Sequence, residues 1–189
     1  CWDTSRVVTT SFTTFFGDLM GMFRNAETFN QPIGCWDLAS ANDMKHMFVN
    51  AKVFDQDISN WDVSEVTIMH SMFTGATFNG DVSNWDVSKV NKMYGMFASA
   101  TSFNRDVSNW DTSKVGRANQ MFMNAETFNQ DLATWDVSQV FDMTKMFHKA
   151  TSFNQDIATW DVGKVFSMNE MFFDATSFNQ NLSSWKSAP

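Results

Sequence analysis

The chain has 189 residues, of which 43% are hydrophobic and 18% charged, so it is long and apolar enough to fold around a core. Its formal net charge is −8 and it contains no basic run, which argues against nucleic acid as a partner, and no apolar stretch approaches the roughly 18 residues of a transmembrane helix. The 20 Phe, 14 Met and 8 Trp stand beside one Tyr and two Pro, a skew typical of one unit copied many times.

A 25-residue repeat runs through nearly the whole chain, with the consensus W-D-V-S-x-V-x-x-M-x-x-M-F-x-x-A-x-x-F-N-Q-D-I-S-x. From the second unit onward its tryptophans lie 25 residues apart, with one spacing of 24, at Trp36, Trp61, Trp85, Trp110, Trp135, Trp160 and Trp185. We therefore predict a single repeat domain over 1–189. It divides into an irregular first unit 1–35, regular units 36–185 and a C-terminal end 186–189.

The first unit is longer than the others. Trp2 precedes Met22 by 20 residues where the other units have 11, so about nine residues are inserted near 8–15. Cys1 and Cys35 each stand directly before a Trp and therefore share one repeat position. Because neighbouring strands lie about 4.8 Å apart, within the reach of a disulfide, we predict a Cys1–Cys35 bond. Two free thiols, or a lipid-anchored Cys1, are the alternatives.

Each regular unit shows a strand pattern followed by a helix pattern. The segment 57–63 mixes β-branched and aromatic residues with polar ones, which predicts a short strand. A short helix is predicted from five apolar residues at helical spacing: Val66, Met69, Met72, Phe73 and Ala76. Serine stands at the expected N-cap in four units: Ser64, Ser88, Ser113 and Ser138. The patterns predict a right-handed α/β solenoid of about seven strand-plus-short-helix units with a parallel sheet.

The string F-N-Q-D-I-A-T-W-D-V-G-K-V-F-S-M-N-E-M-F, from Phe153 to Phe172, resembles the repeat of the BspA-like surface proteins. More narrowly, it is similar to the DUF285 repeat first described in mycoplasma lipoproteins. The resemblance implies a leucine-rich-repeat-like solenoid at a cell surface, with roles in adhesion or protein recognition and with no catalytic residue or cofactor. Three residues depart from the family pattern: Ala41 in a Val position, Ala118 in a Met position and Lys186 in an Asp position.

Two kinds of repeated residue allow either a structural or a binding role. The Trp column is expected to lie in the core, and the alternative is an exposed aromatic ladder that binds sugars. The Asp columns, which include Asp57 and Asp62, are expected to accept N–H groups of turns and helix starts. Calcium binding is their alternative, although the glycine-rich calcium repeat is missing.

Residues that break the pattern carry the prediction of a binding surface. Phe141 and Phe166 fill an outward position that is Thr, Asn or Gly in other units, and Phe173 and Met123 fill another. Together they would form an apolar strip, and exposed apolar patches commonly mark interfaces. The alternative is that the helices rotate enough to bury them.

These features predict a non-enzymatic scaffold that mediates protein–protein interaction, as a surface adhesin or as a bracing subunit of a larger assembly. The alternative is a carbohydrate-binding surface protein that uses the Trp ladder. The three histidines occupy different repeat positions and no metal-ligand spacing is present, so we expect no catalytic residues, metal site or cofactor. A disulfide would fit an extracellular, cell-surface or other oxidising location.

Overall fold

The computed structural model describes residues 17–186, which form coils of about 25 residues stacked on one another. Strand β1 (Gly17–Asp18) pairs in parallel with strand β2 (Ala41–Asp43). Single parallel bridges then extend the same column from coil to coil, through Asp43, Ile68, Lys92, Arg117, Asp142 and Ser167. The repeat therefore sets the vertical register, because each bridge joins residues that hold the same position in successive units.

The predicted stack of strand-plus-helix units is wrong. Residues 17–186 contain no helix, and β1 and β2 are the only strands of more than one residue within them. None of these residues therefore forms a helix that is long and apolar enough to cross a membrane. The segment predicted to be helical adopts turns, in which Ser71 and Gly75 have φ of 57° and 66°. An α-helix needs φ near −60° at every residue, so two left-handed residues within one segment exclude it. The same two positions are left-handed in the other described coils.

Backbone amides in this turn segment alternate between two destinations. The N–H groups of His46, Phe48 and Asn50 donate to carbonyls of the next coil, at 3.2, 2.8 and 2.8 Å. Those of Met47 and Val49 donate to the carbonyl three residues earlier, at 3.2 Å each. Every second amide therefore closes a turn, and the others join neighbouring coils as in a parallel sheet.

Successive β-turns explain why the apolar spacing of this segment resembles that of a helix. Val66, Met69 and Met72 lie three residues apart, and a turn closed by an i to i−3 bond returns these side chains to one side of the chain. All three are fully buried, as predicted, together with Phe73 and Ala76. Apolar spacing identified the buried residues and could not distinguish repeated turns from a helix.

The predicted strand at 57–63 is also absent, and the predicted N-caps have another role. Asp57 Oδ1 accepts the N–H of Ser59 at 3.0 Å, and Asp62 Oδ1 accepts that of Ser64 at 3.1 Å. These are side-chain-closed turns, which compete with strand pairing. Ser64 thus follows a turn-forming Asp and starts no helix, and the same holds for Ser88, Ser113 and Ser138.

Aromatic rings form columns through the core. The Met-Phe rings stack from coil to coil, with centroid distances of 5.7 Å between Phe73 and Phe97 and 5.8 Å between Phe97 and Phe122. Within a coil, Phe97 also packs on Phe103 at 3.8 Å. All four rings are fully buried. Each such ring contributes about 1.5–3 kcal/mol by burial, and each pair about 0.5–1.5 kcal/mol more.

Removing a ring from this column should lower the stability of the stack. We expect Phe97→Ala to lower the free energy of unfolding by about 3–5 kcal/mol, because it leaves a cavity among four aromatic neighbours. Phe166→Ala is the matched control, since that ring is 76% exposed and its loss should cost under about 1 kcal/mol. Chemical denaturation of both variants measures the difference. Equal losses would contradict a core column.

The left-handed residues predict a stabilising substitution. Lys149 is exposed and has φ of 57°, a conformation that costs a non-glycine residue about 1–2 kcal/mol. Lys149→Gly should therefore raise the melting temperature, with a net gain of up to about 1 kcal/mol after the entropy cost of glycine. Lys114 is exposed and is not left-handed, so Lys114→Gly should lower the melting temperature. A loss in both variants would be inconsistent with the turn geometry.

Candidate functional site

The tryptophan column is part of the core, as expected. Trp61, Trp85 and Trp110 are each only 3% exposed. The indole Nε1–H of Trp61 donates to the carbonyl of Ile33 at 3.0 Å, and that of Trp85 to the carbonyl of Ile58 at 3.2 Å. The same bond recurs in the following coils up to Trp185. Because ring and N–H are both engaged inside the stack, this column is not available as a platform for sugars.

The aspartate columns accept N–H groups of turns, as expected, but the expected role at helix starts is wrong because residues 17–186 contain no helix. Each Asp accepts the N–H two residues later through Oδ1, as at Asp81 and Asp106, both at 2.9 Å. A hydroxyl bond from Ser59 and the N–H of the same serine hold the pKa of Asp57 below its ordinary value. Ser64 does the same to the pKa of Asp62. Among the residues the structure describes, no group of three or more His, Cys, Asp or Glu is placed to hold a metal ion.

Asparagines and glutamines form a third polar ladder. Asn129 Oδ1 accepts the N–H of Asn154 at 2.9 Å and the Nε2–H of Gln155 at 3.0 Å. One coil later, Asn154 Oδ1 accepts from Asn179 and Gln180 in the same way. The repeated polar residues are thus used to bind one coil to the next.

Phe141 and Phe166 form one pair on the outer surface. Their rings stack at 5.8 Å with an interplanar angle of 11°. Phe166 is 76% exposed and Phe141 is half-buried. The Arg117 guanidinium carbon lies 5.4 Å from the centre of the Phe141 ring, a cation–π distance. The alternative that these residues are fully buried fails for Phe166.

Phe173 and Met123 occupy a second outward position. Phe173 is 52% exposed and stacks on His148 at 5.1 Å, and His148 Nδ1 lies 3.3 Å from Glu170 Oε2. Met123 is half-buried. No ring contact within residues 17–186 joins this position to Phe141 or Phe166. The predicted strip therefore consists of a stacked pair, of which only Phe166 is exposed, and a separate position with an exposed Phe173 and a half-buried Met123. Its use as an interface stays a prediction.

A histidine–tyrosine column was not foreseen from the sequence. His70 stacks on Tyr94 at 4.2 Å, and the ring of His46 meets that of His70 edge-on at 4.8 Å. His70 is 8% exposed, and its Nδ1 is buried with no hydrogen-bond partner in the described part of the chain. Burial, helped by His46 and by the nearby lysines, lowers the pKa of His70 to about 4. Burial also lowers the pKa of His46.

The structure describes one of the two cysteines of the predicted disulfide. Cys35 is disulfide-bonded. Its predicted partner Cys1 lies outside the described residues, as does the insertion near 8–15, so the Cys1–Cys35 pairing stays a prediction.

The family model described as a mycoplasma protein of unknown function, DUF285, matches the chain three times, over residues 1–79, 17–133 and 106–189. The chain belongs to the DUF285 family. No curated protein and no solved structure matches it. The similarity of the Phe153–Phe172 string to the DUF285 repeat is therefore confirmed, and the stacked coils give a structural account of this repeat.

The buried histidine predicts a pH-dependent stability for this DUF285 chain. The folded pKa of His70, about 4, lies below its ordinary value of 6.5, so the unfolded chain binds more protons between these pH values. The free energy of unfolding should thus fall as pH drops from 6.5 to 4, by at most about 1.4 kcal/mol per pH unit for this group. Urea denaturation at several pH values measures the slope.

His70→Phe is the variant that isolates this effect, because it keeps a ring against Tyr94 and removes the titrating group. Its slope between pH 6.5 and pH 4 should be smaller than that of the native chain, with His46 accounting for the remainder. The lowered pKa values of Asp57 and Asp62 act only below about pH 4, so the loss of stability there should be the same in both proteins. Identical slopes above pH 4 would rule out His70 as the cause.

Proposed function

We propose that this chain is a non-enzymatic scaffold that binds a protein partner through its exposed aromatic residues, as a surface recognition module or as a bracing subunit. The observation that carries the proposal is the exposure of Phe166 and Phe173, at 76% and 52%. Burying such rings at an interface releases free energy, and aromatic residues are enriched among the residues that dominate binding.

The use of the other repeated side chains supports the proposal. Trp N–H groups and Asn amides form bonds between neighbouring coils, and Asp carboxylates close turns within a coil. What remains variable is the outward side of each coil, where Phe replaces Thr, Asn or Gly. A stack of this kind presents an extended surface in which each coil contributes a few side chains, which suits recognition of a protein.

The location is proposed to be extracellular, on the cell surface or in another oxidising compartment. The disulfide at Cys35 supports this, because such bonds are rare in reducing compartments. An adhesin would bind intact cells or matrix when added from outside. A bracing subunit would instead co-purify with its assembly, so the two forms of the proposal are distinguishable.

The partner can be sought by affinity capture from native extract. We expect the double variant Phe166→Ser/Phe173→Ser to lose the partner, with binding weakened by at least about 2 kcal/mol, or about thirtyfold. The captured protein is then measured directly by titration against each purified variant. Phe141 is left unchanged, because its half-buried ring also shapes the surface beside Arg117.

Val53→Ser is the matched control, because Val53 is 46% exposed and lies in a coil far along the stack. It removes exposed apolar surface without touching Phe166 or Phe173 and should retain full binding. Undiminished binding by the double variant, at unchanged melting temperature, would show that the exposed rings are not the interface.

A further inference from the structure

The coil over 112–125 differs from its neighbours at several positions. Thr112 stands in a Val position, Ala118 stands in a Met position, and Gly116 occupies the outward position that is Phe141 in the next coil. A side chain at Gly116 would meet the Phe141 ring, since an ideal Cβ there lies 2.9 Å from Cε1. The missing side chain leaves an open groove of about 310 Å³, which six residues line: Asn91, Lys92, Tyr94, Gly116, Arg117 and Phe141.

Two cations lie side by side at this groove. Lys92 and Arg117 are bridged neighbours in the parallel column, and neither has an ion-pair partner among residues 17–186. Asp142, next in the column, directs Oδ1 to the N–H of Thr144 at 3.0 Å. Because the Arg117 guanidinium lies over the Phe141 ring, its in-plane N–H donors stay free for a planar carboxylate.

The other residues that line the groove suit a ligand that contains a hydroxylated ring. Tyr94 is held from one side by His70 at 4.2 Å and is half-buried, so it offers a fixed aromatic surface. The Asn91 amide is exposed and supplies both a donor and an acceptor. A volume of about 310 Å³ is at the small end of ligand sites. An acidic peptide side chain would engage the two cations and leave Tyr94 and Asn91 without a partner.

We propose that this groove binds a carboxylate-bearing sugar of the uronic-acid type. Arg117 and Lys92 bind the carboxylate, Tyr94 packs against the sugar ring and Asn91 binds hydroxyls. The site differs from the buried Trp column and from the exposed rings of Phe166 and Phe173. Phe141 lines the groove and stacks on Phe166, but neither Phe166 nor Phe173 lines it. Uronate binding and protein binding can therefore be tested separately.

Tyr94 provides a direct measurement, because it is the only tyrosine in the chain. Its ring signals in a ¹H–¹³C NMR spectrum should shift on titration with D-glucuronate or D-galacturonate and should not shift with D-glucose or D-galactose. Arg117→Gln should weaken uronate binding at least tenfold, because it removes a charge-assisted pair of hydrogen bonds. Lys92→Gln should weaken it as well.

Lys114→Gln is the matched control, since it removes one exposed charge from the same coil at a residue that does not line the groove, and it should leave the affinity unchanged. An unchanged melting temperature in Arg117→Gln would show that its fold is kept. The proposal is overturned if the native chain binds no uronate, if neutral sugars bind equally well, or if Arg117→Gln binds as tightly as the native chain. Equal binding of acetyl-glutamate amide would overturn the sugar assignment and indicate an acidic peptide.

Discussion

The division of backbone amides between turns and neighbouring coils is the constraint that shapes each unit. If alternate N–H groups are to reach the next coil, the chain must turn sharply between them, and a left-handed residue at two positions per coil provides the turn. The side chains then fall in a fixed order, with Met and Phe directed inward. A continuous helix would satisfy its amides internally and leave no bonds between coils.

The vertical bonds also explain why the side chains form columns. Identical residues hold identical positions, so Phe lies on Phe and Trp on Trp. The Oδ1 atoms of Asn104, Asn129 and Asn154 likewise accept from the Asn and Gln of the next coil. In a column of identical residues, each side chain packs against, or forms hydrogen bonds with, its equivalent in the next coil. The residues that recur in every unit therefore determine how the coils stack, and binding properties depend on the positions that vary between units.

The sequence was sufficient to predict the length of the repeat unit, the family and which residues are buried. Met69, Met72 and Phe73 were placed correctly because apolar spacing reports which side chains face inward. The sequence was insufficient to predict the backbone conformation, because left-handed positions are occupied by residues such as Gln120 and Lys145, which do not by themselves indicate a positive φ. The Tyr94–His70 stack and the groove at Gly116 depend on contacts between coils, which a pattern within one unit does not contain.

The shortened unit shows how the stack accommodates change. One residue is missing between Ala76 and Phe78, and the nearby ring contact, Phe78 to Phe103 at 6.5 Å, is longer than the 6.0 Å of Phe103 to Phe128. The Phe78 ring lies where a side chain at Gly80 would stand, 2.6 Å from an ideal Cβ, which explains the glycine. Yet the backbone N–H bonds of the ladder continue, from Asn79 N–H to Asp55 and from Asn104 N–H to Asn79. The glutamine bonds are lost at this level, because Gly80 and Arg105 stand in the Gln positions. Since each coil contacts only its neighbours, a local change is absorbed within one coil. The outward residues can therefore diverge while the ladder that supports them is kept.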